Sequence, residues 1–281
     1  MRAVPQSTAP IGVFDSGVGG LTVLHELLVA LPQEDFLYLG DSARFPYGDR
    51  SPAELRAFSR QIADVLLGRG AKLIVVACNS ATSSALGDLS AHVDASGHGV
   101  DVIGVVGPES NLAVAQTRSG RIGVLATQAT VASGAYERAV LAADPLVKLT
   151  SVACPHLARI SQDGAPITEA DVALARTYCA PLREAQVDTA ILGCTHYPFV
   201  RALLQRLLGP EVGLITSGTA IARRVQHALS TRELSTPRTG EGSYSFLCTG
   251  DAAAFAEVGS RFLQLPMGTV DHVDLPTEVP A

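Results

Sequence analysis

Two apolar runs in this chain end on a cysteine that is followed at once by small polar residues: KLIVVACNSAT (72–82) and AILGCTHYP (190–198). Asn79 and Ser80 follow Cys78; Thr195 and His196 follow Cys194. A thiol in an apolar strand is ordinarily a small core hydrophobe. A thiol at the point where a strand gives way to a helix start instead meets free backbone N–H groups, which favour the thiolate and lower its pKa from about 8.5. For Cys78 and Cys194 both readings stand, packing and reaction. Cys154, Cys179 and Cys248 read as packing residues.

Other groups accompany the pair. Asp15 closes the run IGVFDSG (11–17), where it either caps the following helix or presents a carboxylate to the cleft at the strand ends. His196, two residues from Cys194, is suited to handling a proton. The turn-rich segment GDSARFPYG (40–48) brings Tyr47 and Gly48 to a site, or is an ordinary connection. The glycines at 17–20 do not make a dinucleotide fingerprint, because Thr22 stands where the sixth position must be small. Two thiols from two similar segments suit one reaction in particular. Inverting a carbon stereocentre requires an acid/base group on each face of the substrate, one protonated and one not. The pyridoxal route to the same outcome needs a Schiff-base lysine. Only Lys72 and Lys148 are present, both beside strands and away from these loops, so chemistry without a cofactor or a metal is expected.

The elements that must position these groups alternate strand and helix. Strands are expected at 11–17, 35–41 and 72–78, with helices at 21–31, 51–70 and 80–93. Ser51, Pro52 and Glu54 form a helix-start signature with a capping box. Strand 72–78 is apolar on both faces, as parallel strands covered by helices are. The pattern restarts with strand 120–130, helix 131–143, strand 146–155, helix 167–186 and strand 187–194, so that each half delivers a cysteine at a strand end, where ligands bind in open α/β sheets. The expected fold is therefore α/β: two pseudo-symmetric three-layer domains with largely parallel sheets and an active site in the cleft between them. Residues 94–102 read as the hinge. Residues 1–98 plus 216–281 would form the first domain, carrying Cys78, and 99–215 the second, carrying Cys194. The Pro/Gly/Ser-rich stretch 230–243 reads as a loop, and 244–265 as a strand and helix returning to the first domain.

Composition limits the alternatives. The 281 residues carry a net charge of −6 and no block of like charges, which disfavours a nucleic-acid or anionic-membrane surface. No apolar run approaches a membrane span. An odd count of five cysteines, without a CxxC pair or an export signal, points to reduced thiols in a cytoplasm.

In order along the chain, IGVFDSGVGGLTVL, GDSARFPYG, VVACNSAT, IGVLATQATVASGAY, ACP and LGCTHYP together resemble the glutamate racemases. The resemblance implies a cofactor-independent racemase that supplies D-glutamate for peptidoglycan, a homodimer acting on a small-molecule substrate, L- or D-glutamate. It makes Cys78 and Cys194 the two acid/bases, assisted by Asp15 and His196 respectively. It places Asp15, Ser16, Tyr47, Gly48, Asn79, Ser80, Thr127, Thr195 and His196 on the substrate, with Thr130 close by. Ser80 replaces a threonine found in many members. Gln162 stands where the family carries a glutamate, and Asp163 is one position away. The competing readings are an aspartate or other amino-acid racemase, a cysteine hydrolase using Cys194 with a histidine base, and a non-catalytic binding protein.

Overall fold

The computed structural model describes residues 5–162 and 166–276. In chain order, β1 (Ile11–Asp15), α1 (Leu21–Ala30), β2 (Phe36–Gly40), α2 (Pro52–Gly68), β3 (Leu73–Val76), α3 (Asn79–Ala95) and β4 (Asp101–Gly104) come first. A connecting helix, α4 (Val106–Gln116), leads to β5 (Arg121–Ala126), α5 (Gln128–Ala132), α6 (Ala135–Ala143), β6 (Lys148–Ala153), α7 (Leu157–Gln162), α8 (Glu169–Glu184), β7 (Thr189–Gly193), α9 (Arg201–Leu208) and β8 (Gly213–Ile215). The chain then returns through α10 (Ser217–Thr231), β9 (Tyr244–Cys248), α11 (Ala252–Leu263) and β10 (Val270–His272).

Two parallel sheets result, β10-β9-β2-β1-β3-β4 and β6-β5-β7-β8. The segments 2-1-3-4 and 6-5-7-8 are the same topology twice, so β3 and β7 are equivalent strands. Their apolar runs follow from burial on both faces. Leu73 and Val75 pack into one side of the first sheet, Ile74 and Val76 into the other. In the second sheet Leu192 packs on one side and Ile191 on the other. The Ser51–Glu54 capping box at the start of α2 is present, and Thr168 with Asp171 makes a second one on α8.

Several sequence expectations change. Residues 94–102 are not a hinge: Asp94 and Ala95 complete α3, and Asp101 and Val102 belong to β4. Strand β4 pairs with β3 from Leu73↔Asp101 to Val76↔Gly104, so the first sheet runs on past the division expected at 98/99. The backbone groups along the outer side of β3 require partners, and the next extended segment supplies them. The helix expected over 131–143 is two, α5 and α6, parted at Gly134, whose φ of 64° is left-handed. Cys78 is not the last strand residue. It lies two beyond β3 as the N-cap of α3, its sulfur accepting the Ala81 N–H at 3.5 Å.

Both lysines lie at the amino ends of their strands, remote from the cysteines. Lys148 is exposed at the start of β6. Lys72 is fully buried and paired with Glu34 at 2.5 Å. Removing one partner of such a pair leaves a buried charge, a loss of about 3–5 kcal/mol, whereas removing both is far milder. Lys72→Met is therefore expected to lower the thermal midpoint strongly, Lys72→Met with Glu34→Gln to recover most of it, and the double variant to retain full activity. Thermal melts and turnover of the two variants check this.

Candidate active site

In both sheets the chain reverses its direction of growth at the central strand, leaving a crevice beyond the carboxyl ends of β1 and β3 and another beyond β5 and β7, where parallel sheets bind ligands. Asp15 ends β1 and Cys78 follows β3; Thr127 follows β5 and Cys194 follows β7. The two crevices face each other and close around one cavity of about 30 Å³. Ser16, Tyr47, Gly48, Cys78, Asn79 and Ser80 line it from the first sheet's loops. Thr127, Cys194, Thr195 and His196 line it from the second's. Asp15 and Thr130 are fully buried behind this wall rather than on it. Phe45, Pro155 and Arg159 also line the cavity and were not anticipated. An arginine in a short amphipathic helix reads from sequence as a solvated side chain, so nothing marked Arg159.

Direct hydrogen bonds join the two halves at the site. Thr195 Oγ1 donates to Asp15 Oδ1 at 3.2 Å, and Ser80 Oγ meets Thr127 Oγ1 at 2.9 Å and Thr130 Oγ1 at 3.3 Å. The glycines explain the approach. A Cβ at Gly19 would stand 2.5 Å from the His196 ring and from Thr195 Oγ1, and one at Gly48 would stand 2.9 Å from Thr127 Cβ. Gly19 thus serves contact between the halves. The Tyr47 hydroxyl is committed to Asp41, which also accepts from Arg44 Nε at 2.7 Å and from Thr249 Oγ1 at 2.7 Å; Tyr47 consequently offers the cavity its ring and backbone, not its hydroxyl.

Burial dominates the electrostatics. It pushes the Cys194 thiol up to about 12 and the Cys78 thiol higher still, with the Asp15 charge acting in the same direction on both. Against this, Ala81 N–H at the start of α3 and the His196 N–H favour the respective thiolates. Burial raises Asp15 to about 6, although the amides of Gly20, Gly17 and Ser16 and the Thr195 hydroxyl all donate to it. Asp15 therefore ties down the loop before α1, whose N-cap is Gly20, and stands within electrostatic reach of both thiols.

His196 is held on three sides. Its ring packs against Phe45 and Phe262, each with centroids 5.4 Å away, and burial lowers its pKa to about 4. Nε2 lies 2.7 Å from Gln162 Oε1, and Nδ1 lies 3.9 Å from Cys194 Sγ. A Gln162 carbonyl oxygen can only accept, so the hydrogen resides on Nε2 and the Nδ1 lone pair faces the thiol. Gln162 keeps the tautomer a carboxylate would select while adding no charge. Asp163 lies outside the described residues.

Comparisons with known proteins place the chain in a family. Residues 13–225 match the Asp/Glu/Hydantoin racemase family. The glutamate racemase of Geobacter metallireducens is 43% identical over 268 residues, 95% of this chain and 97% of the relative. The chain belongs to the glutamate racemase family. As a member it is a racemase, an isomerase in reaction class. A crystal structure of a glutamate racemase isoform from Bacillus anthracis superposes with a TM-score of 0.90 at 34% identity, covering 97% of this chain and 100% of that one. That of the Francisella tularensis glutamate racemase, in complex with D-glutamate, gives 0.87 at 30% identity, covering 95% and 98%.

Asp15 carries a pH signature. Because the fold raises its pKa, ionising it costs stability: its contribution is intact near pH 4 and is lost as pH rises through about 6. Asp15→Asn retains an acceptor for Thr195 without the charge. The stability of the variant relative to the parent is expected to rise by about 2–3 kcal/mol between pH 4 and pH 7, on top of a pH-independent loss where its NH₂ meets a donor. Its racemisation rate should nonetheless fall sharply. Thermal melts across pH, paired with activity, check both.

Proposed function

We propose that this enzyme interconverts L- and D-glutamate by a two-cysteine, cofactor-independent proton transfer at Cα. The observation that carries the reading is that Cys78 and Cys194 come from equivalent strand ends of two repeated sheets and line the same cavity. The D-glutamate bound to the Francisella relative supports the substrate.

Desolvation keeps both thiols protonated, so each needs a proton acceptor before it can act as a base. For Cys194 the acceptor is His196 Nδ1, neutral at physiological pH and already oriented by Gln162. For Cys78 it is Asp15, whose pKa of about 6 leaves it ionised near neutrality and whose charge is felt by the Cys78 thiol. One thiolate removes the Cα proton from one face, and the opposing thiol delivers a proton to the other. Charge that develops on the substrate carboxylate is met by backbone N–H groups at Ser16, Asn79, Ser80 and Thr195, fixed before the reaction begins. Arg159 adds positive charge to the wall for a substrate with two carboxylates. The biological role that follows is supply of D-glutamate for peptidoglycan.

A cysteine hydrolase would use Cys194 and His196 and would leave Cys78 without a task. Cys78→Ser and Cys194→Ser separate the two readings, because a hydroxyl is too weak an acid to exchange protons near neutral pH. Each variant is expected to fold and to lose racemisation by at least about a thousandfold, as removal of an essential acid/base group does. Chiral analysis after incubation with L-glutamate measures it. Undiminished racemisation in Cys78→Ser would overturn the proposal.

A further inference from the structure

A buried polar cluster stands directly behind Asn79. Glu109 of α4 is fully buried, and its carboxylate accepts from the Ser217 and Tyr136 hydroxyls and from Asn79 Nδ2 at 3.1 and 3.3 Å. Asn79 Nδ2 also donates to the Tyr136 hydroxyl oxygen at 2.9 Å. The four residues come from α3, α4, α6 and α10, so the cluster joins both halves of the molecule next to Cys78.

The chemistry of the cluster decides which way the Asn79 amide points. An ionised carboxylate can only accept, and the Tyr136 hydroxyl has already spent its one proton on it. Whatever Asn79 turns toward them must therefore be a donor, its NH₂. The carbonyl oxygen is left over. Among the described residues Asn79 Oδ1 is buried with no hydrogen-bond partner, in a side chain that belongs to a residue 2% exposed and lining the cavity. Unpartnered buried acceptors are rare and call for an explanation. An amino acid brings to this cavity carboxylates, which are acceptors, and one cationic donor, the α-ammonium group. A lone carbonyl oxygen complements only the ammonium.

We propose that Glu109 is a positioning residue: it locks the Asn79 amide with Oδ1 toward the cavity, where Oδ1 receives the α-ammonium of the substrate. The inference rests on the glutamate reading above and extends it from the cavity wall to a group that does not touch the substrate. Without an acceptor-only partner the amide is free to flip. Asn79 would then present a donor to a cation.

Discrimination between an ammonium and a group of the same shape tests this. The probe is 2-hydroxyglutarate, which replaces the ammonium with a neutral hydroxyl, used as a competitive inhibitor above pH 8, because burial raises Glu109 to about 7 and it is ionised only above that. In Glu109→Gln the new amide can donate to Asn79 Oδ1 and permit the flip. The KM for both glutamate enantiomers should rise about tenfold, the scale of a lost hydrogen bond to a charged group, with kcat changed less than about threefold. The Ki for 2-hydroxyglutarate should change less than about threefold, so the preference for the ammonium compound collapses. Glu109→Asp, still acceptor-only, should keep that preference within about threefold of the parent. A purely structural role would instead lower the melting temperature and weaken both compounds equally. An unchanged preference in Glu109→Gln, or a collapsed one in Glu109→Asp, would overturn the inference. A parent enzyme that racemises no glutamate would overturn the functional reading, and this inference with it.

Discussion

Two thiols share one small cavity between the sheets, and burial penalises the charged form of each. The rest of the site answers that penalty. A buried thiol is a poor base alone, and a polar group stands near each: Asp15, whose charge reaches Cys78, and His196, whose Nδ1 lies 3.9 Å from Cys194 Sγ. Those neighbours are tuned by the same burial in opposite senses: the carboxylate is raised toward neutrality and the imidazole is lowered so that it stays uncharged. Desolvation also strengthens any interaction with charge that appears during the reaction, which is where stabilisation of a carbanion has to come from. The cost of a buried site and its usefulness are one effect.

The same closure limits access. A cavity of about 30 Å³ holds about two water molecules, far less than glutamate needs. Room for a substrate of that size has to come from displacement of the residues that line it. The contacts across the cleft combine hydroxyl hydrogen bonds such as Thr195 to Asp15 and Ser80 to Thr127 with the packing of His196 between Phe45 and Phe262 and the buried cluster around Glu109. The apolar clusters belong to the faces of the individual sheets. Gly19 and Gly48 allow the halves to meet closely.

Much of this was legible in the sequence because chemistry and topology coincide there. Runs apolar on both faces announced parallel strands, and their ends announced Asp15, Cys78 and Cys194. Repetition of the layout announced a pair. What was not legible is what depends on contacts between distant segments. Strand β4, only four residues long and preceded by two glycines, reads as a hinge until β3 is there to pair with it. Gln162 looked like the loss of a carboxylate, yet it retains the hydrogen bond that sets the His196 tautomer. Glu109 gave no signal, since a carboxylate in an ordinary helix reads as solvated; only the convergence of α3, α6 and α10 reveals it as buried. Asp15 was open between a cap and a carboxylate at the cleft; it does not cap α1, whose N-cap is Gly20, and it accepts instead from Gly17 and from Thr195 of the other half, a contact that adjacent residues alone could not reveal.

The central claim is that protons leave and arrive through different thiols on opposite faces of Cα, and solvent isotope labelling tests it most directly. L-Glutamate is incubated with the enzyme in D₂O, the reaction is stopped early, and each enantiomer is analysed for mass. The account predicts deuterium at Cα in the D-glutamate formed and almost none in the remaining L-glutamate, because the thiol that removed the original hydrogen keeps it while the opposing, solvent-equilibrated thiol delivers deuterium. Comparable early deuterium in both pools, or product that retains the original hydrogen, would contradict it.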